Sequence, residues 1–257
     1  MIVSHKNRFI FFKPMKTGGT SIEAAFLSCL DPDDITTGTP YINELVATNM
    51  EYRERNNHVV NFTTGEKQAL HPHTSPIMLK KQYIIPDVVT YCRMTTVRNP
   101  WDMVVSYYWW SFYDPQVLNP NEKERDFRKM MAHLAPNITD SEKDRQDKFE
   151  TFLMTKAFYD VPQRKFVPGS SILEWFAEWQ NEFMSNIDFF IRFECMQEDL
   201  AYICMILQLG DLAKSMPKLK TQVRESKLVY KSYYNDRSRV LVENAFSKVI
   251  DCFNYEF

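Results

Sequence analysis

Short apolar runs alternate with amphipathic stretches along much of the chain. Phe9-Ile10-Phe11-Phe12 is a continuous apolar run, too short for a helix and suited to a buried strand. Ile22, Ala25, Phe26, Cys29 and Leu30 then recur at helical spacing. They predict an amphipathic helix over 20–30, with Thr20 or Ser21 near its N-cap and Asp31-Pro32 at its end. Residues 83–97 hold short β-rich pieces that close on Met94-Thr95-Thr96-Val97. Asn99-Pro100 follows as N-cap and first helical residue of a helix from Trp101 to Tyr113. Trp175, Phe176, Trp179 and Phe183 predict a helix within 171–186 that packs on the core. Residues 187–193 form another apolar run, 195–209 a helix ending near Gly210, and 236–250 the last helix.

Two stretches differ in character. NPNEKERDFRKMM, residues 119–131, and SEKDRQDKFE, residues 141–150, are charge-dense. They predict exposed helices or a lid-like insertion around 114–170, within a single domain spanning 1–257. Residues 31–70 are mixed and polar and predict no clear element.

Composition narrows the class. In 257 residues, 31 basic side chains against 33 acidic ones give a net charge of −2, which argues against a general nucleic-acid binder. The five cysteines are odd in number and include no C-x-x-C pair, so they are expected as buried, reduced thiols. No apolar run reaches the ~20 residues of a membrane span. The chain enters a strand by Phe9, before a signal peptide could be accommodated. The expectation is a soluble cytoplasmic protein with no membrane span. No pattern in the sequence sets an oligomeric state.

Candidate chemistry begins at FFKPMKTGGTSIE, Phe11 to Glu23. A strand, a short glycine-containing loop and a helix are the layout of a phosphate cradle. Unpartnered N–H groups at the helix start, the helix dipole and a nearby cation together favour an anion. Lys16 can supply a full charge, Gly18 and Gly19 close backbone approach, and Thr17, Thr20 and Ser21 hydroxyl donors. The lysine precedes the glycines, the reverse of G-x-x-x-x-G-K-[ST], which disfavours a nucleotide triphosphatase. The second stretch is VRNPWDMVVSYY, residues 97–108. Arg98 stands at a strand end and can hold a phosphate by two parallel hydrogen bonds, with Ser106 eight residues on to add a third.

Together these two stretches resemble the sulfotransferases that use 3′-phosphoadenosine 5′-phosphosulfate (PAPS). PMKTGGTSIE looks like the family's 5′-phosphosulfate loop, and VRNPWDMVVSYY like its 3′-phosphate motif. IDFFIRFECMQEDL, residues 187–200, is similar to a late segment of the carbohydrate-type branch, and the stretch from Leu228 to Phe257 is similar to its closing segment. The resemblance implies an α/β fold with a central parallel sheet flanked by helices, P-loop-like in architecture. It implies sulfuryl transfer to a hydroxyl of a carbohydrate or small polyol, with adenosine 3′,5′-bisphosphate as product and no metal. It assigns Lys16, Thr17, Gly18, Gly19, Thr20, Ser21, Arg98 and Ser106 to the donor. Tyr230 and Lys231 match a C-terminal stretch that closes over the nucleotide.

The acceptor hydroxyl must lose a proton. HPHTSPIML, residues 71–79, puts His71 and His73 on one face if it is extended. His73-Thr74-Ser75 resembles a histidine-serine element whose histidine is the general base in part of the family, and imidazole suits that task. His73 is the favoured base and His71 the alternative. Arg192 and Glu194 are expected as a buried structural ion pair. Trp101, Trp109 and Trp110 are expected in the core, with stacking on adenine or acceptor as the other reading. Two rival functions are a small-molecule kinase using ATP with Mg²⁺ and a non-catalytic nucleotide-binding protein.

Overall fold

The computed structural model describes residues 1–37, 56, 58–62, 64–85, 88–112, 129–160, 165–219 and 228–257, with the backbone alone at 157–160 and 165–168. Two compact units divide the chain. One comprises Met1–Arg98 and Glu182–Lys220, the other Asn99–Asn181 and Thr221–Phe257.

The first unit is α/β. Its main sheet has five strands in the order β10-β7-β2-β1-β3. These are β1 (Ile2–Ser4), β2 (Phe9–Phe12), β3 (Ile35–Thr36), β7 (Cys92–Val97) and β10 (Phe189–Arg192). β2, β7 and β10 are mutually parallel, as expected, but β1 runs antiparallel to both β2 and β3. The sheet is therefore mixed. The reason is local: β1 and β2 are joined by only four residues, long enough for a hairpin and too short for a parallel crossover. The Asp34 carboxylate fastens that hairpin, accepting from Ser4 Oγ at 2.9 Å and from the His5 N–H at 2.6 Å.

Helix α1 (Gly19–Phe26) follows β2, and a 3₁₀ turn over Leu27–Cys29 continues it, which ends the α-helix earlier than its periodicity suggested. Phe9, Phe11, Met94 and Ile191 from the sheet pack with Ile22, Ala25 and Phe26 of α1. Leu200 and Ile203 in the helix Met196–Ile206 join the same core. A second, three-stranded sheet has the order β5-β4-β6, built from β4 (His58–Asn61), β5 (Lys67–Ala69) and β6 (Tyr83–Ile84). Helix α2 (Pro76–Gln82) precedes β6.

The second unit is largely helical, with one antiparallel hairpin of β8 (Ala157–Asp160) and β9 (Lys165–Pro168). Among the described residues its helices include α3 (Pro100–Ser111), α4 (Glu142–Met154), α5 (Ile172–Asn181), α7 (Asp236–Ala245) and α8 (Ser247–Phe253); Met196–Ile206 of the first unit is α6. Aromatic rings dominate its core. Tyr107 stacks on Phe176 at 4.3 Å between centroids, and Tyr108 meets Phe149 and Phe152 at 5.3 and 5.0 Å. The charge-dense sequence of α4 had suggested a solvated helix. It nonetheless buries Phe149, Phe152 and Leu153, because three apolar residues at i, i+3 and i+4 make a sufficient stripe. Residues 119–128 of the charged stretch lie outside the described residues, as does Tyr113.

Asn99 caps α3 as its sequence suggested: its side chain accepts from the Trp101 N–H at 3.1 Å, with Pro100 in the first turn. Asn99→Ala is expected to destabilise the second unit by about 1 kcal/mol, the usual loss for a cap. A chemical denaturation curve checks this, and an unchanged midpoint would mean that solvent replaces the cap. All five cysteines are thiols. Cys204 is buried, but Cys252 on α8 is exposed, contrary to the expectation that all would be covered.

Candidate functional site

Phe12 of β2 pairs with Thr95, and Val97 of β7 pairs with Arg192. The residues that follow the three parallel strands therefore emerge at one edge of the sheet. They are the loop 13–18, Arg98 and Phe193. Ligands of open α/β sheets bind at this carboxyl edge.

The loop is tightly built. Lys16 (φ 64°) and Gly18 (φ 81°) both have left-handed backbones. This region is uncommon for a residue with a side chain, and such outliers concentrate at functional sites. The Lys16 carbonyl accepts Nη1–H of Arg98 at 2.9 Å. The guanidinium carbon of Arg98 stands 3.9 Å from the centre of the Phe193 ring. A Cβ on Gly18 would collide with Met196 Cε and come within 2.8 Å of Phe193 Cδ2, and one on Gly19 would come within 2.6 Å of Lys13 Cγ. The packing behind the loop thus requires both glycines, and at Gly18 the backbone does too.

Gly18 is the N-cap of α1, and among the described residues no side chain caps that helix. Thr20 and Ser21 lie inside the helix instead of capping it. The N–H groups of Gly19 and Thr20 precede any intrahelical acceptor, while the Ser21 N–H turns back to the Gly18 carbonyl at 3.0 Å. Ser21 Oγ accepts from the Leu219 N–H at 3.1 Å. The Thr17 hydroxyl is buried, 2.6 Å from the Thr96 hydroxyl and 3.2 Å from the Pro14 carbonyl. Thr17 can therefore offer an anion only its backbone. An uncapped helix start beside a lysine and an arginine is a donor set that fits a phosphate or sulfate group.

Residues 71–75 form a turn, so the extended case in which His71 and His73 would share a strand face does not apply. The Thr74 N–H and hydroxyl both return to the His71 carbonyl, at 3.0 and 2.8 Å. Ser75 then caps α2, whose first residue is Pro76, and its hydroxyl also donates to Glu182. Pro76, suited to a helix start, lets α2 begin directly after the turn. The two histidines still meet, with ring centroids 5.7 Å apart. His71 Nδ1 accepts the His73 N–H at 3.1 Å. His73 Nδ1 lies 2.6 Å from the Lys13 carbonyl. A carbonyl only accepts, so Nδ1 carries the proton and the lone pair of neutral His73 sits on Nε2. Burial, then the Lys13 ammonium and His71, hold the His73 pKa well below the usual imidazole value. The ring is neutral at pH 7.

Behind the loop lies a buried charge cluster. Glu23 of α1 is 0% exposed and pairs with Lys13, itself 2% exposed. Glu23 also accepts from the Met1 amino group at 3.0 Å. Burial works to raise the Glu23 carboxyl, but the Lys13 ammonium and the Met1 amino group overcome it and hold the group down to about 2. Burial, with the Lys13 ammonium adding to it, pushes the Met1 amine down to about 5. The Glu23 carboxylate is thus held between Lys13 and the Met1 amino group. Lys13, Glu23, Thr96 and Phe193 were not singled out from sequence as parts of this site.

The remaining candidates fall elsewhere. Ser106 is half-exposed on α3 of the second unit. Trp101 and Trp109 are core residues, whereas Trp110 is half-exposed and stacks on Tyr107 at 6.0 Å. Lys231 Nζ donates to the Phe257 carbonyl at 2.7 Å, and the Tyr230 ring is 6.0 Å from the Phe257 ring. Arg192 forms a bidentate pair with Asp199, at 2.9 and 2.7 Å, and is 48% exposed. Arg192 and Glu194 are both exposed, so they are not the buried site that their sequence suggested. Among the described residues no group of three or more His, Cys, Asp or Glu side chains is placed to hold a metal ion, and no helix is long and apolar enough to cross a membrane.

No protein-family model matches the chain, and no curated protein compared with it matches either.

Proposed function

We propose that this protein transfers a sulfuryl group from PAPS to a hydroxyl of a carbohydrate or small polyol. The observation that carries this reading is the hydrogen bond from Arg98 to the Lys16 carbonyl. It joins the two stretches on which the resemblance rests, which lie 82 residues apart in sequence. His73 supports the reading from a third stretch, through its bond to the Lys13 carbonyl of the same loop.

When bound, the donor supplies an activated sulfuryl group. Lys16 and the N–H groups at the start of α1 bind its 5′-phosphosulfate and stabilise the charge that builds on the bridging oxygen as the bond breaks. Arg98 holds the 3′-phosphate, with Ser106 assigned to it by the resemblance alone. His73 receives the acceptor proton on Nε2, and His71 helps hold the turn that presents it. Tying the base to the donor loop through the Lys13 carbonyl supplies the positioning such a transfer needs.

A thermal-shift comparison of adenosine 3′,5′-bisphosphate, AMP and ATP with Mg²⁺ tests this. A ligand at ~100 times its dissociation constant stabilises the fold by roughly 2.7 kcal/mol. Selective stabilisation by the bisphosphate is expected. Preference for ATP with Mg²⁺ would replace the proposal by a kinase reading.

A further inference from the structure

We infer that Phe193 is a positioning residue for Arg98, holding its guanidinium in the plane that selects donors bearing a 3′-phosphate. This rests on the donor assignment above. Phe193 directly follows β10, at the sheet edge where the loop and Arg98 emerge. Its side chain is 36% exposed, which is unusual for a phenylalanine whose ring touches two structural neighbours.

The first neighbour is Arg98, whose guanidinium carbon stands 3.9 Å from the ring centre. At that distance the flat cation lies against the ring face, attracted by the ring quadrupole. The second is Gly18: Phe193 Cδ2 and Cε2 would lie 2.8 and 3.1 Å from a Cβ built there. One ring therefore backs both the loop glycine and the arginine. The Phe193 ring and the Lys16 carbonyl, which takes one of its five N–H donors, both hold Arg98. Recognition of phosphate by an arginine fork is directional, so an arginine held in plane binds it better than one that rotates.

The chemistry separates this role from simple packing. A ring that only supports the loop would affect every adenine nucleotide alike. A ring that orients Arg98 affects only ligands with a 3′-phosphate. Phe193→Leu keeps an apolar side chain of similar bulk behind Gly18 and removes the aromatic face, while Phe193→Tyr keeps the face. Binding of adenosine 3′,5′-bisphosphate and of AMP is measured by calorimetry for wild type and both variants.

The expected result is that Phe193→Leu binds the bisphosphate about fivefold more weakly, binds AMP as wild type does, and is matched by no such loss in Phe193→Tyr. If Phe193→Leu keeps the full preference for the bisphosphate, or weakens both ligands equally, the inference is overturned and the donor assignment survives. If wild type shows no preference for the bisphosphate over AMP, the donor assignment fails, and the inference fails with it.

Discussion

Lys16→Ala is expected to lower sulfuryl transfer by about 10²–10³-fold, the usual effect of removing one group that stabilises transition-state charge. Two lysines border Pro14-Met15, but they are not interchangeable. The Lys13 ammonium is buried and paired with Glu23, so it cannot turn to a ligand without leaving that carboxylate unpaired. Lys16 is the half-exposed lysine of the loop. A second variant separates chemistry from backbone. Because Lys16 has φ 64°, Lys16→Gly relieves a left-handed strain of roughly 1 kcal/mol and should fold at least as well as wild type. Single-turnover assays with PAPS and a panel of polyols, beside a denaturation curve, make the test. A stable Lys16→Gly protein that transfers as slowly as Lys16→Ala assigns the loss to the missing ammonium. Transfer near the wild-type rate in either variant would remove Lys16 from the chemistry.

The strand, loop and helix around Lys16 were legible in sequence because each depends on local rules: a continuous apolar run, adjacent glycines and a helical apolar stripe. The cap of α3 was legible for the same reason. The antiparallel β1 was not. Three residues, Ile2–Ser4, carry too little periodicity to announce a strand, and its direction follows from the length of the turn after it. The histidine turn was not legible because period two holds only for an extended chain, whereas between Pro72 and Pro76 the chain folds back on the His71 carbonyl and starts a helix. Phe193 was hidden inside an apolar run, where a ring that carries an arginine looks like one more core residue.

The buried pair had a readable signal that went unused. Phe9 and Phe11 lie on one face of β2 and pack on Phe26 of α1, at 4.9 and 5.5 Å between ring centroids. Strand alternation puts Lys13 next in that row, one residue beyond the strand. Glu23 precedes Phe26 by three residues, so helical spacing puts it on the same apolar face. A lysine and a glutamate that continue two facing apolar rows predict each other as partners.

Glu23→Ala is therefore expected to destabilise the first unit by about 3–5 kcal/mol, the range for removing one partner of a buried pair. The variant leaves the Lys13 ammonium buried without its carboxylate, beside Gly19 and the Lys13 carbonyl that His73 uses. Lys13→Met together with Glu23→Leu should recover most of the loss, because neither charge then remains. The same pair sets a pH dependence. The Glu23 carboxyl has an ordinary value of 4.5 and is held down to about 2 in the fold. A depressed acid stabilises the fold fully above its unfolded value, so this contribution is present above pH 4.5 and is lost as pH falls toward 2. Linkage puts it at roughly 3 kcal/mol. Urea denaturation at pH 7 and across pH 5 to 2.5 measures both effects. Wild type should lose stability steeply over that interval, and the double variant should show a shallower slope. A Glu23→Ala protein within about 1 kcal/mol of wild type, or equal acid slopes for wild type and double variant, would mean that water reaches the pair.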